Sequence, residues 1–469
     1  MRFLLLLLSL LLPASATAQT PPRIGFENVD ILTMQDNGRG EGLDAGNDGG
    51  LLQGGHVIVA GGTIEAVGPG PLPARFDGRR IDGAGGVLMP GLADMHVHYY
   101  ADDMGVLYLA NSTTFVRNLT GSVQTFRRDQ SARDGALIAP RVATSGPIID
   151  WGAPHSGDFF IRVQSTEEAV GAVRAQGRSG YDAVKLYEGL PADTYAAAVA
   201  EAERQGMRVY THVPRSMSVQ DVLALGVDSI EHLDGYARAL MREGFSTDAE
   251  RPWPQMWANA DRSRFDELVA ATLAAGTWNV PTFAITYGRI YSADPDAYFD
   301  RPEAIYLPAW ADYWAASAGQ YAVNAPYYEA QLREKGAFTR ALYDAGAGVL
   351  IGSDGPNPFV TPGYAIHDEM RGFSQAGFSN AEILRIATID SARFMGLEGR
   401  MGVIAPGARA DLVLLTGDPR RDLGVLMHPV GTMVAGHWWD RAALDNALAA
   451  RALRLAAERE ARDRPEDPS

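Results

Sequence analysis

The amino-acid sequence predicts an α/β protein: a (β/α)8 TIM barrel with a small β-sandwich domain built from both chain ends. Three observations predict it. Short β-rich runs alternate with helical stretches, giving eight candidate strands at 87–95, 113–119, 138–149, 182–187, 208–213, 228–233, 278–285 and 348–354. Such alternation makes a parallel sheet, and eight units close into a barrel. Residues 24–85 show no helical hydrophobic period, and residues 402–415 and 430–439 are β-like again, so both ends supply sheet. The chain has 469 residues, too long for one simple core and about right for a barrel with a smaller partner.

The expected division is 1–18 signal peptide, 19–85 first part of the sandwich, 86–400 barrel, 401–440 second part of the sandwich, and 441–469 C-terminal helix and tail. At the start, Arg2 is a positive n-region, residues 4–12 an apolar h-region, and Ala16-Thr17-Ala18 an A-x-A cleavage site. That apolar run is short for a membrane span, so export to the periplasm or beyond is expected, with cleavage after Ala18. No later segment is long and apolar enough to cross a bilayer, and a soluble mature chain is expected. The net charge of −16 excludes a general positive field for nucleic acid or anionic membrane. With no cysteine, disulfides, thiol catalysis and thiolate ligands are excluded.

Within the first β region, residues 24–34, 56–67 and 80–81 read as strands, and the polar, Gly-rich stretch 36–55 reads as a loop. In the barrel, residues 165–176 and 192–205 are plainly amphipathic helices. Residues 286–340 form an unusually long connection rich in Tyr and Trp, read as a helical insertion packing on the barrel, or alternatively as a lid, substrate wall or dimer contact. Helices follow near 380–397, and the Ala-, Arg- and Glu-rich tail from 441 reads as a helix.

The chemistry concentrates at strand ends. Asp94-Met95-His96-Val97-His98 closes the first strand, and residues two apart share a face. His96 and His98 can therefore chelate one cation, with Asp94 one step deeper as a supporting acceptor. His212 ends the fifth strand, His232 the sixth and Asp354 the eighth. Barrel active sites lie at that end of the strands. Histidine with carboxylate suits zinc or a similar divalent ion. Lys185 ends the fourth strand and faces the same interior. A lysine deprotonated by burial can react with carbon dioxide to give a carbamate that bridges two metals. An unmodified lysine binding a substrate carboxylate is the other reading, and the spacing leaves both open. Tyr187, two residues on, is a candidate for polarising a carbonyl or binding substrate. Arg215, Trp151 and His155 lie on the same face and read as packing or solvent-exposed. His56, His367, His428 and His437 read as structural.

These residues together resemble the amidohydrolase superfamily, within it the imidazolonepropionase-like and prolidase-like enzymes. The segment 86–98 looks like the family's first-strand signature, Val184-Lys185-Leu186-Tyr187 and Gly352-Ser353-Asp354 match later metal positions, and 402–414 resembles the return into the β-sandwich. The resemblance implies two divalent metal ions, zinc foremost: His96, His98 and Asp354 at one, His212 and His232 at the other, carboxylated Lys185 between them. It implies hydrolysis of an amide, cyclic amide or dipeptide C–N bond in a small molecule by metal-activated water, with Asp354 shuttling the proton. A lactone or ester hydrolase is the alternative on the same site. A non-catalytic exported binding protein is a third reading, against which the complete ligand set weighs. A homo-oligomer stays open.

Overall fold

The computed structural model describes residues 23–35, 50–152, 159–247, 249 and 252–464. The expected signal peptide, His155 and residues 36–49 of the Gly-rich stretch lie outside the described residues.

Two parallel sheets carry the central part of the chain. One orders Leu92–Val97, Thr113–Asn118 and Arg141–Thr144 side by side; the other orders Phe160–Val163, Ile148–Trp151, Ala183–Leu186, Arg208–Thr211, Ser229–Glu231 and Trp278–Val280. Nearly every residue in these strands is buried, as expected where helices cover one face and a packed interior the other. A Ser145–Ala183 bridge joins the sheets on one side. On the other, residues 348–355 run between the last and first strands. The Leu350 N–H donates to the Asn279 carbonyl (2.9 Å), Met95 N–H to Ile351 (2.8 Å), and His98 N–H to Gly355 (2.9 Å). The arrangement is that of a TIM-barrel-like α/β fold.

Helices between strands follow from local chemistry. In Thr166–Arg178, the Ser165 side chain accepts the Glu168 N–H, Glu167 and Glu168 occupy the first turn and Arg178 the last. That ordering satisfies an orphan donor and opposes the helix dipole. Ala169, Ala172, Val173 and Gln176 form its buried stripe. Ala192–Arg204 buries Tyr195, Ala198, Val199 and Ala202 at the same spacing.

Five sequence expectations are corrected. The strand expected over 87–95 is two, parted at Gly91: Val87–Pro90 pairs with strands from the chain ends, and Leu92–Val97 opens the parallel sheet. The strand expected over 56–67 turns back at Gly61 and Gly62, both at positive φ, into the antiparallel pair Leu51–Ala60 and Thr63–Pro69. Residues 138–149 do not make one strand: Arg141–Thr144 and Ile148–Trp151 are separate. Between them Pro147 has no N–H to donate, and a Cβ on Gly146 would lie 2.2 Å from the Gln176 amide. The loop expected over 36–55 ends early, because Leu51–Ala60 is a strand paired with Ile24–Leu32. Gly54 at φ +56° and Gly55 beneath Ile31 let that strand bulge and still pair. The seventh strand stops at Val280; Pro281 and Thr282 (φ 49°) turn the chain into the Phe283–Tyr291 helix.

Both chain ends join one eight-stranded sheet, ordered His437–Asp440, Gly431–Val434, Leu412–Leu415, Val87–Pro90, Ile24–Leu32, Leu51–Ala60 and Thr63–Pro69, with Arg79–Asp82 beside Ile24–Leu32. Phe26, Val57, Ile64, Leu88, Leu412 and Met433 share its apolar cluster. Asp440 caps the Arg441–Asp463 helix by accepting the Ala443 N–H. Within the 286–340 connection, Tyr298, Trp314, Tyr321 and Tyr328 pack into their own cluster, while Trp310 and Tyr313 are exposed. No described helix is long and apolar enough to cross a membrane.

Candidate metal centre

The structure brings His96, His98, Lys185, His212, His232 and Asp354 to one end of the parallel strands. Asp354 Oδ1 lies 2.8 Å from His98 Nε2 and 3.3 Å from His96 Nε2, and its Oδ2 lies 3.8 Å from His232 Nδ1. One ligand atom from each of His96, His98 and Asp354 falls within 4.8 Å of the others. From there the imidazoles form a continuous run: His96 to His232 at 4.9 Å between ring centroids, His232 to His212 at 4.5 Å, and His212 to the Tyr187 ring at 4.2 Å.

Two of these side chains reach the site through unusual backbone. His232 (φ 66°) and Asp354 (φ 58°) are non-glycine residues in the left-handed region, a costly conformation that clusters where function demands it. The turn at His232 matters because strand alternation alone would send Glu231 and His232 to opposite faces. Glu231 enters the interior as a strand residue, and His232 enters because the chain has already left the strand.

A second layer holds the first. Glu231 Oε2 accepts from His96 Nδ1 at 2.7 Å, which leaves Nε2 turned toward Asp354. Arg117, with no exposed surface, donates to both Glu231 oxygens (2.9 and 3.1 Å), to Ser229 Oγ and to the Met95 carbonyl. Burial would push the Glu231 carboxyl up, but Arg117, Lys185 and His96 outweigh it and hold it well below the usual carboxylate range. Asp94 is buried and pushed up to about 6 by desolvation, against hydrogen bonds from Ser353 Oγ (2.5 Å) and N–H (2.9 Å). It therefore anchors the Ser353–Asp354 turn; the expected support to an imidazole comes from Glu231 instead. His98 Nδ1 pairs with Thr120 Oγ1 at 2.5 Å and His232 Nδ1 with Thr282 Oγ1 at 2.8 Å.

The protonation pattern differs between the two histidine pairs: burial would lower His96, but Asp354 and Glu231 draw it upward, whereas the second pair suits cation binding as it stands. Burial first, then the charge of Lys185 and neighbouring imidazoles, holds His212 and His232 well below the ordinary imidazole value. They are neutral, and a neutral imidazole is what a metal takes. Burial would raise Asp354, but His96 and His98 keep it ionised. Lys185 is 1% exposed and its Nζ has no hydrogen-bond partner. Desolvation brings it down to about 8, so a reactive neutral amine is within reach at mild pH. A buried amine left unpartnered is costly. The donor set therefore fits divalent cations, and the orphaned Lys185 marks the place where a further anionic group would complete it.

Tyr187, His212, His232 and Asp354 line a cavity of about 480 Å3, along with Glu188, Arg215, Lys335 and residues of the 286–340 connection. Arg215 donates to Glu188 Oε1 at 2.6 Å. His367 is tied to Asn111 and His56 to the Gly70 carbonyl, away from this cluster. Sequence reasoning missed Glu231, Arg117, Thr120, Thr282 and Lys335. Glu231 had one available signal, its place beside His232 in a strand of three residues. Arg117, Thr120 and Thr282 have partners distant in sequence, Lys335 has no hydrogen-bond partner, and none of the four carries a signal.

The chain belongs to the amidohydrolase family, whose model matches residues 87–439. It is 25% identical to imidazolonepropionase of Symbiobacterium thermophilum across 82% of this chain and 89% of that protein. Among solved structures, bottromycin amidohydrolase is similar at TM-score 0.71 and 24% identity, covering 93% of this chain and 92% of that one. A Xaa-Pro dipeptidase with bound methionine in its active site is similar at TM-score 0.63 and 19% identity, covering 89% and 100%. These structural likenesses carry the fold.

Proposed function

We propose that this protein is an exported, binuclear metal-dependent amidohydrolase that cleaves a C–N bond, in an amide, cyclic amide or dipeptide. The observation that carries the reading is the orphaned Lys185 Nζ set among four imidazoles and Asp354. Family membership and relatives named imidazolonepropionase and amidohydrolase support the bond class. The same reading takes the two parallel sheets and residues 348–355 as a closed eight-stranded barrel, supported by the hydrogen bonds on either side of that segment. The terminal sheet is read as a sandwich, supported by the Ile64–Ala408 and Gly407–Ile64 hydrogen bonds that bring its far edge back.

In this mechanism His96, His98 and Asp354 would hold one ion, and His212 and His232 the other. Lys185 Nζ, neutral and unpartnered, would add to carbon dioxide and lose a proton, and the resulting carbamate would supply the anionic group that the two ions share. Divalent ions held there, zinc by donor type, would supply Lewis acidity toward a water and a substrate carbonyl near neutral pH. Asp354 takes the proton of the attacking water and delivers it to the departing nitrogen, which its place between the two histidine pairs allows. Tyr187 borders the cavity beside His212 and orients the substrate. A panel of dipeptides, N-acyl amino acids and lactones offered to the zinc-loaded protein tests this. Turnover of amides is expected; turnover of lactones with amides untouched would overturn the bond class.

A further inference from the structure

A lysine in the cavity wall has no partner. Lys335 lies in the Tyr328–Asp344 helix, is 2% exposed, and lines the same cavity as His212, His232 and Asp354. Among the described residues no hydrogen bond or ion pair reaches its ammonium; its Nζ lies 5.9 Å from the centre of the Phe283 ring. The carboxylates that feel its charge are Asp234, Glu369 and Asp354, all beyond ion-pair distance. Glu369 turns one oxygen to the Ala284 N–H (2.7 Å), and its other oxygen is buried without a hydrogen bond. The remaining cations of the cavity are engaged: Arg215 with Glu188, and Arg289 with the Pro358 carbonyl and the Tyr321 ring, 4.1 Å away.

A buried ammonium is costly unless an anion pairs with it. The chain as a whole carries −16, so an anionic substrate meets net repulsion and needs a dedicated cation to bind. Lys335 lies near enough to the histidine cluster for its charge to reach His232. A cavity of about 480 Å3 is of small-molecule size, so one small substrate can span both. We propose that Lys335 is a specificity-determining residue that receives a carboxylate of the substrate, so that the enzyme takes N-acyl amino acids or dipeptides with a free carboxyl terminus. The inference rests on the hydrolase reading and narrows its substrate class. The substrate carboxylate docks on Lys335 while the amide carbonyl faces Asp354 and the histidines.

The experiment compares the full chain with Lys335→Met and Lys335→Arg, checking zinc content and thermal unfolding of each. N-acetyl amino acids and dipeptides are offered beside their C-terminal carboxamides, and both turnover and calorimetric binding are read. Wild type is expected to prefer the free acids. Lys335→Met is expected to raise KM and weaken binding for the acids by at least about 30-fold, to leave the carboxamides within about threefold, and to keep its metal; Lys335→Arg is expected to recover part of the preference. Equal losses on both series, no acid preference in wild type, or no binding of either series would overturn the inference. Carboxamides and acids hydrolysed alike would overturn it while sparing the hydrolase reading. Acid-selective binding without turnover of any amide would do the reverse.

Discussion

The two halves of the candidate metal centre differ in how they are held. At His96, His98 and Asp354, each side chain has a fixed partner: Glu231 backed by Arg117 behind His96, Thr120 behind His98, and Asp94 gripping the turn that carries Asp354. At His212, His232 and Lys185, the supports thin out. His232 has Thr282, whereas Lys185 Nζ has no hydrogen bond and none is found for the His212 ring among the described residues. Outer partners fix tautomer and direction, and their loss weakens metal affinity. The difference teaches that one half is preorganised by the fold while the other is completed by what binds there. A first ion should therefore bind tightly and a second should depend on Lys185 carboxylation.

The largest effect is expected at Asp354, which belongs to the first half and turns Oδ2 toward His232 of the second. Asp354→Asn should lower kcat by roughly 10²–10⁴-fold, the worth of a positioned acid–base group, while elemental analysis finds most of the metal retained. Wild-type turnover in that variant would remove Asp354 from its role. Lys185→Gln should fall by at least about 100-fold, more than an outer-shell partner is worth, and should lose one ion of the pair while the His96 half keeps the other. An unchanged metal count in Lys185→Gln would mean the halves do not differ as described.

Glu231→Gln attacks the better-held half. It should weaken the tighter ion by about 10–100-fold, measured by competition with a coloured chelator, and the weaker ion much less. Equal weakening of both ions would contradict the division. Smallest is Thr282→Val, which removes a neutral hydrogen bond worth about 0.5–1.5 kcal/mol. A few-fold loss confined to the weaker ion is expected, read in the same chelator titration.

That these side chains gather at one end of the strands was legible in the sequence, because histidine is scarce here and four of the nine stand at strand ends. Lys185 was legible for a similar reason: a lysine closing an apolar strand needs a use. Their supports were not legible. Arg117 sits in TTFVRN, where alternation marks a face but not a partner 114 residues away. Lys335 lies in a helix where Glu329, Arg333 and Asp344 face water, and only the packing of that helix shows the ammonium turned inward. The strand pattern misled where proline and glycine decide the backbone: Ser145-Gly146-Pro147 divided one expected strand, and Gly54 and Gly55 hid the start of another inside an apparent loop. Local composition carries the period of a strand, whereas the break depends on what packs against it.

The most direct test of the proposed binuclear centre is the metal content per chain of protein purified with zinc and bicarbonate present. About two ions per chain are predicted for bridged sites, falling to about one when carbon dioxide is excluded during loading. A single ion per chain whatever the bicarbonate, or none, would contradict the account.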